Sequence, residues 1–206
     1  MIFRAVEDAD LITRVCKGDV EAYNHLVSRW EKRVYNYLLR LTGNSEDSLD
    51  LTQDVFLKAW QSIRKLDDTA RFGPWLFRIA HNEAYSLFRK RKPEAGTDDA
   101  SFAEREPAPG APPELTIAVN AALDRLNPEQ REAVVLKVYQ GFKFDEMAEI
   151  LGCPVSTIKS RLYTALELMK KELEPSASNG SQRSTTQSST TQRSTTQRST
   201  TQGIRQ

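Results

Sequence analysis

Residues 93–114, PEAGTDDASFAEREPAPGAPPE, hold almost nothing that a fold can bury. A stretch dominated by Pro, Gly, Ala and acid does not offset the entropy lost on ordering, so it predicts a flexible linker. Any hydrophobic core must therefore form on one side of this gap or the other, in two small modules.

Within each module the apolar residues recur at helical spacing. Ala22, Leu26, Trp30, Val34, Tyr37, Leu38 and Leu41 make one stripe, with Asp19 placed to cap it and Gly43 to stop it. A second helix from near Asp47 buries Leu51, Val55, Ala59 and Ile63, and a third over residues 72–92 buries Phe72, Trp75, Leu76, Ile79 and Leu87. Past the linker, stripes run through Ala118, Ala122 and Leu126; Val134, Val135 and Val138; Met147, Ile150 and Leu151; and Ile158, Leu162, Leu166 and Met169. No run alternates with period two long enough for a strand.

From Gln182 the chain reads QRSTTQSSTTQRSTTQRSTTQ, a repeat without an apolar side chain, which predicts disorder. The predicted fold is all-α: two small helical domains joined by a flexible linker, the second containing a helix-turn-helix, plus a disordered C-terminal tail. The expected boundaries are 1–92, 93–114, 115–174 and 175–206.

Charge does not announce a partner. The net +1 hides +3 over residues 1–92, −5 over 93–114, −1 over 115–174 and +4 over 175–206, so nucleic-acid binding has to be argued from local clusters. Cys16 and Cys153 have no partner pattern for a disulfide or a metal, the N-terminus lacks a signal-peptide pattern, and no apolar run is long enough for a bilayer. A cytoplasmic protein without membrane insertion is expected. There is no glycine-rich phosphate loop, metal-ligand cluster or supported Ser/His/Asp grouping, which predicts no enzyme, no cofactor and no metal.

The segment GCPVSTIKSRLY carries the clearest functional signal. Ala148 is small where two helices cross, Gly152 is free to take a left-handed turn, Ser156 is expected to cap the next helix, and Ile158 faces back. With Ile158, Leu162 and Leu166 inward, Ser156, Thr157, Lys159, Ser160, Arg161 and Tyr163 form the amino-terminal end and outer face. Such an end enters a major groove with amides toward phosphate and Lys or Ser toward base edges.

In the first domain, burying Leu51, Val55, Ala59 and Ile63 leaves Asp50, Gln53, Asp54, Leu57 and Gln61 outward, an exposed Leu among acids and amides that suits protein docking. On the third helix, Arg78, His81, Asn82, Tyr85 and Arg89 align at three- and four-residue steps, followed by the basic run Arg89, Lys90, Arg91 and Lys92. Cation, amide and ring on one stripe suit single-stranded DNA. A lone surface His is usually just solvated, so His81 is read as a phosphate contact at most.

LDRLNPEQREAVVLKVYQGFKFDEMAEILGCPVSTIKSRLYTALELMKKEL (residues 123–173) resembles the promoter-reading region four of bacterial sigma factors, and DLTQDVFLKAW with FGPWLFRIAHNEAYSLFRKRK resembles region two. The two blocks in this order, without region three between them, resemble the extracytoplasmic-function (ECF) group of the sigma-70 family. The resemblance implies a dissociable subunit that directs RNA polymerase core to promoters and helps initiate transcription. It implies that the Asp50, Gln53, Asp54 and Leu57 face grips the beta-prime coiled coil of core, and that the beta flap is a further contact. It implies that the third helix, with the loop RKLDDTARFG before it, separates the strands at the minus-ten element and holds an extruded base, and that the helix-turn-helix reads the minus-thirty-five element. An anti-sigma partner covering these surfaces is also implied.

Two regions depart from the family pattern: Leu49 stands before Asp50 in place of an acidic pair, and Thr164, Leu166 and Glu167 occupy the end of the recognition helix where basic residues are common. The competing reading is an ordinary helix-turn-helix regulator with an N-terminal sensing or dimerisation domain, against which the Arg78, Asn82 and Tyr85 stripe argues. On the leading reading each module is expected to leave one side uncovered, one for intact duplex and the other for unpaired bases.

Overall fold

Caps and left-handed glycines set the limits of most helices. The computed structural model describes residues 7–91 and 113–179; the predicted linker and repeat tail lie largely outside them. Helix α1 (Asp8–Cys16), which no predicted element covers, buries Leu11, Ile12 and Val15. Helix α2 (Val20–Thr42) begins where Asp19 accepts the Ala22 amide at 3.0 Å and ends where Gly43 turns left-handed at φ 69°. Helix α3 (Ser45–Ser62) starts ahead of Asp47 because Asn44 is its cap and accepts the Asp47 amide at 3.0 Å. Two short 3-10 turns, Ile63–Lys65 and Thr69–Arg71, lead into α4 (Phe72–Arg91). At the head of α4, a Cβ on Gly73 would lie 2.8 Å from the Trp30 ring, so only glycine lets α4 approach α2 this closely.

In the second domain α5 (Pro113–Asp124) starts inside the predicted linker boundary. Helix α6 (Pro128–Val134) has a reciprocal cap: Asn127 Oδ1 accepts the Gln130 amide at 2.8 Å and Gln130 Oε1 accepts the Asn127 amide at 3.3 Å. It continues as a π-helical turn, Val135–Tyr139, followed by α7 (Phe144–Leu151) and α8 (Val155–Asn179). The π turn shifts the helical phase, which corrects the predicted stripe: Leu136 is buried and Val138 is 60% exposed. On α8 the inward row is Ile158, Leu162, Ala165 and Met169, and Leu166 faces out. This helix runs through Asn179, past the boundary predicted at 174.

The described residues are helices and turns without a strand, as the periodicity predicts. No helix among them is long and apolar enough to cross a membrane. The two domains do not stand apart. Helix α4 packs on α7, α2 touches α6 and the π turn, and Phe77 meets Phe142 edge-on with centroids 4.9 Å apart.

Candidate nucleic-acid and polymerase interfaces

The helix-turn-helix forms where its residues predict. Gly152 closes α7 at φ 63° and ψ 30°, donating its amide to Ala148 O at 2.9 Å. The first intrahelical bond of α8 runs from the Ile158 amide to Pro154 O at 3.2 Å, so the helix begins at Val155. Ser156 therefore lies within the first turn and is not its cap. Ser156, Lys159, Ser160 and Tyr163 are exposed on one end and face; Thr157 and Arg161 are half-buried. Arg161 bridges back to α6 through Glu129 at 3.1 Å and points its other nitrogen to Cys153 Sγ at 3.8 Å. Lys159 Nζ hangs 5.3 Å from the Phe144 ring centroid, a cation held near the amino-terminal end of α8 by its aromatic neighbour.

The outward face of α3 is also as expected: Asp50, Gln53, Asp54 and Leu57 are exposed. The structure adds a groove of about 470 Å³ between α2 and α3, which Gln53 and Leu57 line together with Val20, Val27, Phe56 and Trp60. Tyr23, also in its wall, donates its hydroxyl to Phe56 O and stacks edge-on with Trp60 at 4.9 Å; burial pushes its phenol up to about 12. Periodicity on α3 alone could not show this groove, because half of its wall comes from α2. Leu49 is 54% exposed on the same helix. Asp47, in contrast, is taken up by a bidentate pair with Arg91 at 2.6 and 2.7 Å that ties the start of α3 to the end of α4. Arg91 thus leaves the predicted basic run for a structural role; Lys92 lies outside the described residues.

The α4 stripe divides in two. Arg78, Asn82 and Arg89 are exposed. Arg78 lines a cavity of about 290 Å³ with Lys65, Asp67, Asp68, Arg71 and Trp75, so the RKLDDTARFG loop and the start of α4 make one concave site. Its loop is shaped by Asp68, which accepts the Ala70 amide at 2.9 Å.

His81 and Tyr85, expected on the same open face, are instead turned toward the second domain. Their rings lie 4.4 Å apart, His81 Nδ1 is 2.7 Å from Glu132 Oε1, and Tyr85 donates to Glu132 Oε2 at 2.9 Å. Tyr37, from α2, donates to the same carboxylate. Burial first, and then Glu132, push the Tyr37 and Tyr85 phenols well above their ordinary range, so both remain donors at working pH. Sequence periodicity misses Glu132 because a charged residue at a buried position breaks the pattern used to find cores.

Comparison with known proteins matches both helical modules. Residues 26–94 match the model of Sigma-70 region 2 and residues 116–169 that of Sigma-70, region 4. The chain is 32% identical over 182 residues to the ECF RNA polymerase sigma-E factor of Escherichia coli, covering 82% of this chain and 95% of that protein. It is 30% identical over 176 residues to the ECF RNA polymerase sigma factor SigW of Bacillus subtilis, covering 79% and 94%. Among solved structures, the sigma factor RpoE in complex with the anti-sigma factor NepR from Bartonella quintana aligns with a TM-score of 0.63 at 30% identity, over 74% of this chain and 96% of that one. CnrH in complex with the cytosolic domain of CnrY aligns with a TM-score of 0.63 at 25% identity, over 82% and 97%. With both helical modules matched in order, the chain belongs to the ECF RNA polymerase sigma factors, proteins of the sigma-70 family that direct polymerase to promoters and initiate transcription.

Proposed function

We propose that this sigma factor divides promoter recognition among the three surfaces described. The α2–α3 groove with Gln53 and Leu57, flanked by Asp50 and Asp54, docks on the polymerase core; the beta-prime coiled coil is the expected occupant. The end of α8, through Ser156, Thr157, Lys159, Ser160, Arg161 and Tyr163, reads the minus-thirty-five duplex, and α4 with its preceding loop captures the unpaired minus-ten strand. The reaction chemistry belongs to core, so the chain acts in the cytoplasm as a specificity subunit without a catalytic group of its own.

The cavity beside Arg78 supports the minus-ten reading most directly. A concave site walled by Trp75 and by cations from the loop and α4 offers a stacking ring and phosphate partners to an extruded base, and each such stack contributes about 1–3 kcal/mol. The match over both halves disfavours an ordinary helix-turn-helix regulator, whose first half would need no such site. An anti-sigma partner is part of the same reading, because the related RpoE and CnrH structures each contain a second protein bound to the sigma factor.

Run-off transcription tests the proposal. Core polymerase plus this chain is expected to give promoter-dependent transcripts, and Arg78→Ala with Asn82→Ala is expected to abolish strand opening while leaving core association intact. Promoter opening at the normal rate by that double variant removes α4 from the minus-ten role.

A further inference from the structure

Glu132 is the most deeply buried acidic side chain among the described residues, only 1% exposed, and every hydrogen bond the structure gives its carboxylate comes from the other domain. Tyr37 and His81 converge on Oε1 and Tyr85 on Oε2. We propose that Glu132 is an intramolecular latch, closing the second domain over the minus-ten face of α4 in the free chain so that the sigma factor holds itself shut before core opens it. The inference rests on the α4 reading above.

Other contacts between the domains point the same way. Arg33 donates to Gln140 O at 3.0 Å, Arg40 stacks 4.2 Å over Tyr139, and Arg71 pairs with Glu149 across the mouth of the Arg78 cavity. Glu149 itself lines that cavity, so the site expected to take an extruded base is rimmed by a carboxylate of the second domain. A base, its phosphate and Glu149 cannot share one cationic mouth, and His81 and Tyr85 cannot face DNA while they hold Glu132. The closed form and the strand-capturing form are therefore mutually exclusive.

The seam also has the makings of a reversible contact. The seam is mixed: Phe77 meets Phe142 inside an apolar cluster that runs through both domains, and around it lie polar contacts whose hydrogen bonds water can replace when the domains part. It contains an unsatisfied donor as well: Arg40 Nε is buried without an acceptor, a cost that opening relieves. Glu132, fully hydrated once the domains part, loses nothing by being charged in the open form. In the closed form it needs all its donors, because a buried carboxylate is tolerated only when paired.

The test uses the full chain with Glu132→Gln and, as a milder second variant, Tyr37→Phe, which removes one donor and keeps the ring. Small-angle scattering reports closure, and fluorescence anisotropy reports binding to the single-stranded minus-ten segment of a promoter that the protein transcribes with core. The latch predicts a larger radius of gyration for both variants and roughly tenfold tighter oligonucleotide binding by Glu132→Gln, the scale expected for losing charge-assisted bonds. Transcription by the Glu132→Gln holoenzyme is expected to be unchanged, because core already holds the domains apart. Unchanged radii in both folded variants overturn the latch. Expansion without tighter binding overturns the occlusion. Arg78→Ala in holoenzyme separates the two readings: if it opens promoters normally while Glu132→Gln still expands the chain, the α4 assignment fails and the latch stands.

Discussion

Truncating Leu57 to Ala isolates the groove proposed to dock on polymerase from the rest of the molecule. In the free chain Leu57 is 59% exposed at the edge of the groove, so a little over half of its burial is still to be gained on docking. Complete burial of a leucine contributes about 1.5–3 kcal/mol, which leaves about 1–2 kcal/mol to be realised against core. Losing that corresponds to a five- to thirtyfold weaker complex, by the usual conversion of roughly 1–2 kcal/mol. The same exposure means that the fold hardly depends on this side chain, and its unfolding free energy is expected to change by less than about 0.5 kcal/mol. The assay is an equilibrium titration of fluorescent core with the variant, run beside a denaturation curve. Asp50→Ala and Asp54→Ala supply the contrast: as charges beside the groove they are expected to slow association in a salt-dependent way while changing the affinity by less than Leu57→Ala does. An affinity within twofold of the unaltered chain, with an unchanged denaturation curve, refutes the reasoning and places the docking surface elsewhere.

Three further outcomes are expected. Lys159→Ala or Ser160→Ala should change which minus-thirty-five sequences are selected, by about 1–3 kcal/mol per lost base contact, with core affinity unaltered in the same titration; an unchanged selection profile removes α8 from base reading. Gly152→Ala should destabilise the second domain by about 1 kcal/mol through backbone strain alone, since φ is 63° and a Cβ there meets no atom within 4 Å, and the melting temperature should fall accordingly. Asp19 is held below its ordinary value of 3.8 by the Ala22 amide and then by Arg14, so its contribution is present above 3.8 and is lost as pH falls through the lower folded value. Asp19→Asn keeps the cap but not the charge, and its stability should depend less on pH in that acid range; identical profiles contradict the linkage.

Much of this architecture was legible in the residues because it depends on local rules. The stripe from Ala22 to Leu41 with Asp19 before it and Gly43 after it forms α2 with those limits, and the Ala148, Gly152 and Ile158 spacing forms the helix-turn-helix. The misses have physical causes. Val138 and Leu166 face out because the π turn and Ala165 move the buried row, which a fixed helical period does not anticipate. Ser156 resembles a cap, but Pro154 already supplies the first carbonyl of α8. The groove needed α2 and α3 side by side, and Glu132 needed α4 opposite α6; neither pairing is written in the spacing of one helix.

The fate of the α4 stripe shows why surface chemistry read from one helix identifies a capability and not an occupant. A face suited to single-stranded DNA carries rings with polar edges and cations, and the same groups are donors for carboxylates. In this chain Glu132 takes His81 and Tyr85, Glu149 takes Arg71, and within the second domain Glu129 takes Arg161. On the proposed reading each acidic partner occupies a donor that a phosphate would otherwise satisfy, which is how a domain of net charge −1 suits a DNA-binding protein: part of its acid is set against the groups proposed for recognition. Binding DNA then exchanges one set of anions for another, and the affinity for a promoter depends on that difference and not on the count of cations alone.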